Sequence, residues 1–160
     1  MSWIICPIEK EHALTVLCWC YPSPYDCYNF DPRTFQSDLS YLLDAGNAFF
    51  VILHPLGGLE GYCSFGRDGQ VPGGNYSDEA LDIGMGIRPD LIGQGRGVLY
   101  AQAVANYGVN RYRTQQLRVT IAAFNKRAQR VWEKLGFEPV ERFIKIASDQ
   151  EFVILVRRKL

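Results

Sequence analysis

Three glycines at alternate positions, Gly93, Gly95 and Gly97, stand in the stretch "LIGQGRG" (91–97), between an extended run and a helix-like run. Bare backbone ahead of a helix leaves unpaired amides at the positive end of the helix dipole. Such an end can hold a phosphate or pyrophosphate without a cationic side chain. Two better-defined phosphate motifs are absent. A dinucleotide fingerprint needs G-x-G-x-x-G, and Val98 occupies the place of its third glycine. A P-loop ends in Gly-Lys, a pair this chain lacks. The candidate donors are the amides of Gly93, Gln94, Gly95, Arg96, Gly97 and Val98. The plain alternative is a flexible loop that happens to be rich in glycine.

The strand before the loop carries a second signal. In "LDIGMGIRP" (81–89), Leu81, Ile83, Met85 and Ile87 share one face by period two. The other face holds Asp82, Gly84, Gly86 and Arg88. Glycine weakens a strand unless something approaches its backbone closely. The reading is a side-chain-poor trench for a ligand, with a bulge or a tight crossing as the alternative. Asp82 stands at one end of this trench and Arg88 at the other. An exposed strand-start aspartate is the bland reading of the same residue.

Downstream, "NKRAQRVWEKLGF" (125–137) reads as a helix capped by Asn125. Ala128, Val131, Trp132 and Leu135 form its apolar stripe, and Gly136 suits the left-handed position after its end. Lys126, Arg127, Arg130 and Lys134 fall on outer faces. Upstream, "WCYPSPYDCYNF" (19–30) is dense in aromatics and reads as a ligand-binding loop or a loop folded onto the core. The Cys18/Cys20 pair lacks the second cluster a zinc site needs, so no metal is expected. A Cys–His nucleophile would need His12 or His54 beside a cysteine; His12 falls on a helix and His54 ends a strand before Pro55, and both read as chance histidines.

The elements that must position these residues form an α/β series. Strands are expected at 3–8, 48–55, 60–67, 79–89, 115–124, 137–147 and 151–158. Helices are expected at 9–19, 32–47, 95–112 and 125–135. Three meander strands, then strand–helix–strand–helix–strand and a closing strand, make a mixed sheet. The chain of 160 residues is expected to be one domain over 1–160. Lys+Arg and Asp+Glu are 17 each, which argues against a general nucleic-acid binder. Five cysteines follow no secreted framework, and no apolar run reaches the ~20 residues of a membrane helix. The start carries no basic, apolar leader, so a cytoplasmic protein is expected, a monomer or homodimer without membrane or nucleic-acid partners.

The glycine loop and the Asn-capped "EKLGF" helix together resemble the GNAT superfamily of acyl-CoA-dependent N-acyltransferases, most closely over residues 79–138. The resemblance implies a mixed, mostly antiparallel sheet of about seven strands flanked by about four helices. It implies acetyl-CoA as cosubstrate and an amine acceptor. The loop amides would take the pyrophosphate. Met85, Gly86 and Ile87 would pair with the pantetheine arm, and Asn125 would contact the cofactor while capping its helix. Lys126, Arg127 or Arg130 would meet the adenosine 3′-phosphate. For attack of the amine on the thioester, the resemblance makes Asp82 the candidate general base, directly or through water, with Glu79 in reserve, and a main-chain N–H near Gly86 or Ile87 the candidate oxyanion donor. Acceptor specificity would lie in residues 19–35. Two positions depart from the family pattern. Ile92 stands where Gln or Arg is usual, and Trp132 where many relatives carry the tyrosine that protonates the leaving thiolate. The "DIGMGIRP" spacing and Trp132 look more like the branch that acetylates protein N-termini. A binding module that holds acetyl-CoA without turning it over is the alternative function.

Overall fold

The computed structural model describes residues 2–158. Seven strands form one sheet: β1 (Ile4–Pro7), β2 (Phe49–Leu53), β3 (Leu59–Phe65), β4 (Leu81–Ile87), β5 (Leu117–Ala122), β6 (Glu138–Ile144) and β7 (Glu151–Arg157). Their spatial order is β1-β2-β3-β4-β5-β7-β6, and every neighbouring pair is antiparallel except β4 and β5. Four α-helices flank it: α1 (Lys10–Leu17), α2 (Phe35–Leu43), α3 (Gly97–Tyr112) and α4 (Lys126–Lys134). The elements expected from the sequence are all present, mostly one to three residues shorter at their ends.

Alternation along the strands sends the core to both sides of the sheet. Phe50, Ile52, Cys63 and Phe65 turn to one face, where Tyr100, Ala101, Val104 and Ala105 of α3 and Trp132 of α4 close the larger cluster. Phe49 turns to the other face, with Ala13, Val16 and Leu17 of α1 and Leu42 of α2. Small residues along α3 let it lie close to the strands. On α1, Ala13, Val16 and Leu17 point inward, while Leu14 and Cys18 are exposed. Residues 13–18 include four apolar side chains and a cysteine, so local spacing there leaves the inward face open.

The end of α4 follows its sequence closely. Gly136 has φ +93° and donates to the Glu133 carbonyl, while Phe137 N–H donates to the Trp132 carbonyl. This pair of bonds closes the helix and turns the chain into β6. Lys159 and Leu160 lie outside the described residues.

Candidate active site

β4 and β5 pair only at Leu81–Leu117 and Asp82–Arg118. Beyond these two pairs they diverge, and a cavity of about 430 Å³ opens between them, lined by Ile83–Ile87 on one side and Val119–Ala122 on the other. The Arg88 N–H bonds to the Glu60 carbonyl on β3. Backbone groups of an antiparallel strand face alternate sides, so the N–H and C=O of Met85 and Ile87 face the cleft. The Ile87 carbonyl accepts from the Tyr21 hydroxyl at 2.8 Å. An extended ligand entering the cleft therefore meets a strand edge with hydrogen-bonding groups still to satisfy.

At its far end the cleft runs onto the glycine loop. Gly93 and Gly95 have φ of +80° and +75°. An L side chain at either position would be strained, and the alternating conformation makes a concavity of amides. Among the described residues, the amides of Gly93, Gln94, Gly95, Gly97 and Val98 have no protein acceptor. Gly93, Gly95, Gly97 and Val98 line the cavity at the start of α3. Across from them stand Arg127, Arg130 and Lys134 of α4. The arrangement sets fixed dipoles on one wall and cationic side chains on the other, chemistry that suits an anion.

Asn125 joins this region to the aromatic loop. Its Oδ1 accepts from Ala128 N–H at 3.1 Å, the capping bond, and its Nδ2 donates to the Tyr28 hydroxyl at 3.2 Å. The rings of Tyr25 and Tyr28 lie 5.9 and 6.1 Å from Phe124, and the Arg127 guanidinium sits 4.4 Å from the Tyr25 ring centre. Tyr21, Tyr25, Tyr28 and Tyr62 thus wall the cavity on the side of α1 and α2. Burial pushes the Tyr21 hydroxyl up to about 12, so it is a neutral donor at ordinary pH. Burial also raises Tyr28, against the opposing hydrogen bond from Asn125. Among the described residues, the cavity lining includes no carboxylate, imidazole or thiol.

Known structures share the whole architecture. An acetyltransferase (GNAT family) from Bacillus anthracis superposes with a TM-score of 0.76 at 17% identity, covering 99% of this chain and 95% of its own. The aminoglycoside acetyltransferase AAC(6')-Ib, solved with paromomycin and acetyl-CoA, gives 0.77 at 17% identity, covering 99% and 94%. A spermidine N-acetyltransferase chimera of Vibrio cholerae SpeG and hSSAT gives 0.70 at 14% identity, covering 99% and 96%. At such identities the likeness is one of fold. Comparison of the sequence with curated proteins gives no match. The description "Acetyltransferase (GNAT) domain" matches residues 9–138. The chain belongs to the GNAT acetyltransferase family.

Within this GNAT fold the expected site residues separate into three groups. Met85, Gly86, Ile87, Gly93, Gly95, Gly97, Val98 and Asn125 all line the one cavity. Gln94 and Arg96 offer the loop their backbone only, since the Gln94 carboxamide donates to the Asp90 carbonyl and the Arg96 guanidinium turns to Glu60. Gly86 lines the cleft, but its amide faces β3, so the strand edge offered to a ligand is that of Met85 and Ile87.

Asp82 stands apart from these residues. It is 3% exposed, outside the cavity, and both its oxygens are engaged by the Arg118 guanidinium at 2.7 and 2.8 Å, with Gln70 at 2.9 Å. A carboxylate so held has no access to an acceptor amine. The reserve candidate, Glu79, is exposed and also outside the cavity. The trench is likewise only partly bare. Tyr62 stands opposite Gly86 on β3, and a Cβ at Gly86 would lie 2.4 Å from its ring. The glycine makes room for an aromatic wall as well as for a ligand. Sequence reasoning missed Tyr62 and the cavity-facing place of Lys134. The first depends on strand register, the second on how α4 is rotated against the cleft.

Trp132 is 5% exposed and packs edge-on against Phe137 at 5.1 Å. Its indole belongs to the core while one edge borders the cavity. No group of three or more His, Cys, Asp or Glu among the described residues is placed to hold a metal. No helix among them is long and apolar enough to cross a membrane.

Proposed function

We propose that the protein is an N-acetyltransferase that takes the acetyl group from acetyl-CoA and passes it to a primary amine of low basicity, a peptide or protein N-terminus or a small amine like it. One observation carries the reading: unpartnered loop amides at the start of α3 open onto the same cleft as the unpaired edge of β4. That pairing suits a ligand with a diphosphate at one end and an extended amide-bearing arm. When bound, acetyl-CoA supplies an acyl carbonyl activated by its thioester. The chain holds the anion on the amides of residues 93–98, satisfies the arm with Met85 and Ile87, and offers Arg127, Arg130 or Lys134 to a further phosphate.

The absence of a lining base points to the acceptor. At pH 7 a lysine-type amine, pKa about 10.4, costs about 4.6 kcal/mol to neutralise, whereas an α-amine near 7.8 costs about 1.1 kcal/mol. With Asp82 enclosed, the proton leaves to water, and an α-amine needs that help least. The acceptor wall is aromatic, and the charged side chains lining the cavity are cationic. Such a site disfavours polycationic acceptors of the kind named for the spermidine and aminoglycoside enzymes above. Trp132 offers no acidic proton. The departing thiolate, with a conjugate pKa near 8.5, leaves unaided or takes a proton from Tyr21, Tyr25 or Tyr28.

The test joins binding to turnover. Coenzyme A at about one hundred times its Kd should stabilise the protein by about 2.7 kcal/mol and raise Tm by about 5–10 °C. Thiol release should then be faster with peptides bearing a free N-terminus than with spermidine or lysine side chains at pH 7. No shift in Tm would overturn the cofactor reading. A preference for polyamines would overturn the acceptor reading, and a shift without turnover on any amine would mark a binding module.

A further inference from the structure

Beneath the glycine loop lies a polar cluster that the reaction above does not use. Glu60, on β3, is 7% exposed. Its Oε1 accepts from Trp3 Nε1 at 2.8 Å and the Tyr100 hydroxyl at 2.9 Å, and the Arg96 guanidinium lies 3.4 Å away. The Arg96 guanidinium is also 6.0 Å from the Trp3 ring centre and 5.5 Å from that of Tyr100. Burial pushes the Glu60 carboxyl up, but the hydrogen bonds from Trp3 and Tyr100 and the Arg96 charge hold it below the usual carboxylate range.

Arg96 stands between Gly95 and Gly97, the first residue of α3. Its two immediate neighbours have no side chain, and the loop's other side-chain tether, Gln94 to the Asp90 carbonyl, lies on the far side of Gly95 from α3. The tether at Arg96 therefore decides where the neighbouring amides point. Its guanidinium is turned inward, to the sheet, so the charge of the loop's one cationic side chain is spent on holding the loop.

We propose that Glu60 is a positioning residue: through Arg96 it holds the glycine loop in its anion-binding shape, and through Trp3 it ties that shape to the start of the chain. The proposal rests on the reading of the loop as the cofactor's phosphate site. It differs from a purely structural role in what it moves. A structural carboxylate changes Tm alone, whereas a positioning one changes cofactor affinity and loop order in the folded protein.

The experiment compares the wild type with Glu60→Gln, Arg96→Ala and Trp3→Phe. Loop exchange is measured without ligand at the amides of Leu99 and Tyr100, which bond to the Arg96 carbonyl, and coenzyme A binding by calorimetry. Glu60→Gln and Arg96→Ala should speed loop exchange and raise Kd and KM for the cofactor about tenfold, the worth of one charge-assisted hydrogen bond, with kcat at saturation little changed. Trp3→Phe keeps the ring and loses the donor, so its effect should be smaller and in the same direction. Arg96→Ala lies on the loop and reads the same link if Glu60→Gln does not fold. Unchanged loop exchange in both variants would overturn the proposal. So would wild-type affinity in either. Loop exchange needs no cofactor, so it still decides the matter if the wild type fails to bind coenzyme A, an outcome that instead sinks the functional reading.

Discussion

Asp82 and Glu60 are buried carboxylates on adjacent strands, and their partners decide what each can do. Asp82 is closed into a two-bond ion pair with Arg118, both side chains 4% exposed. Arg118 also donates to the Asp78 carbonyl and lies under the Tyr76 ring, so the pair pins the loop after β3. Removing one partner of such a pair leaves a buried charge without its counter-charge. Asp82→Asn should therefore cost about 3–5 kcal/mol in urea denaturation, while the folded fraction keeps its pH–rate profile. A variant of unchanged stability that loses turnover would return Asp82 to the role of base. In the sequence Asp82 stands beside two glycines and looks open. Arg118 is 36 residues away, and nothing local announces it.

Among the elements, α4 carries the clearest double duty. Its N-cap both starts the helix and reaches the aromatic loop through Tyr28. Asn125→Ala should lose about 1 kcal/mol of stability with the cap, and cofactor affinity should fall with it. Asn125→Asp keeps the capping oxygen and loses the donor to Tyr28. Thermal denaturation and calorimetry of the two variants separate cap from contact: equal affinities for wild type and Asn125→Asp would confine Asn125 to capping. The cap was legible because N-cap, apolar stripe and terminal glycine are neighbours in sequence. Its second partner was not, because Tyr28 lies 97 residues earlier. β4 teaches the same lesson. Its period-two pattern was plain, yet the occupant of its glycine face, Tyr62, is set by the register with β3.

Across the whole molecule, buried phenols make stability fall in alkali. Burial raises Tyr21 to about 12, and burial with the Glu60 hydrogen bond does the same for Tyr100. Between the ordinary value of 10 and that raised value, the unfolded chain has lost these protons and the native state keeps them. The unfolded state then binds fewer protons, so stability falls as pH rises through this window and is insensitive to these groups below it. Tyr21 alone should contribute on the order of 2 kcal/mol. Urea midpoints measured in steps across the window should decline, and Tyr21→Phe should lessen the slope. A midpoint that stays level would contradict the burial of these hydroxyls.

What the sequence determined by itself was everything carried by neighbours along the chain: the element order, the glycine loop, the capped helix and, from these, the family. Such signals depend on backbone conformation and periodicity over a few residues. Only the tertiary structure decided which charges are spent and which groups face the cleft. Asp82 meets Arg118, Arg96 meets Glu60, and Tyr62 covers Gly86 across distances in sequence that no local pattern spans. Those pairings follow from strand register and from the parting of β4 and β5, which exist only once the sheet has formed.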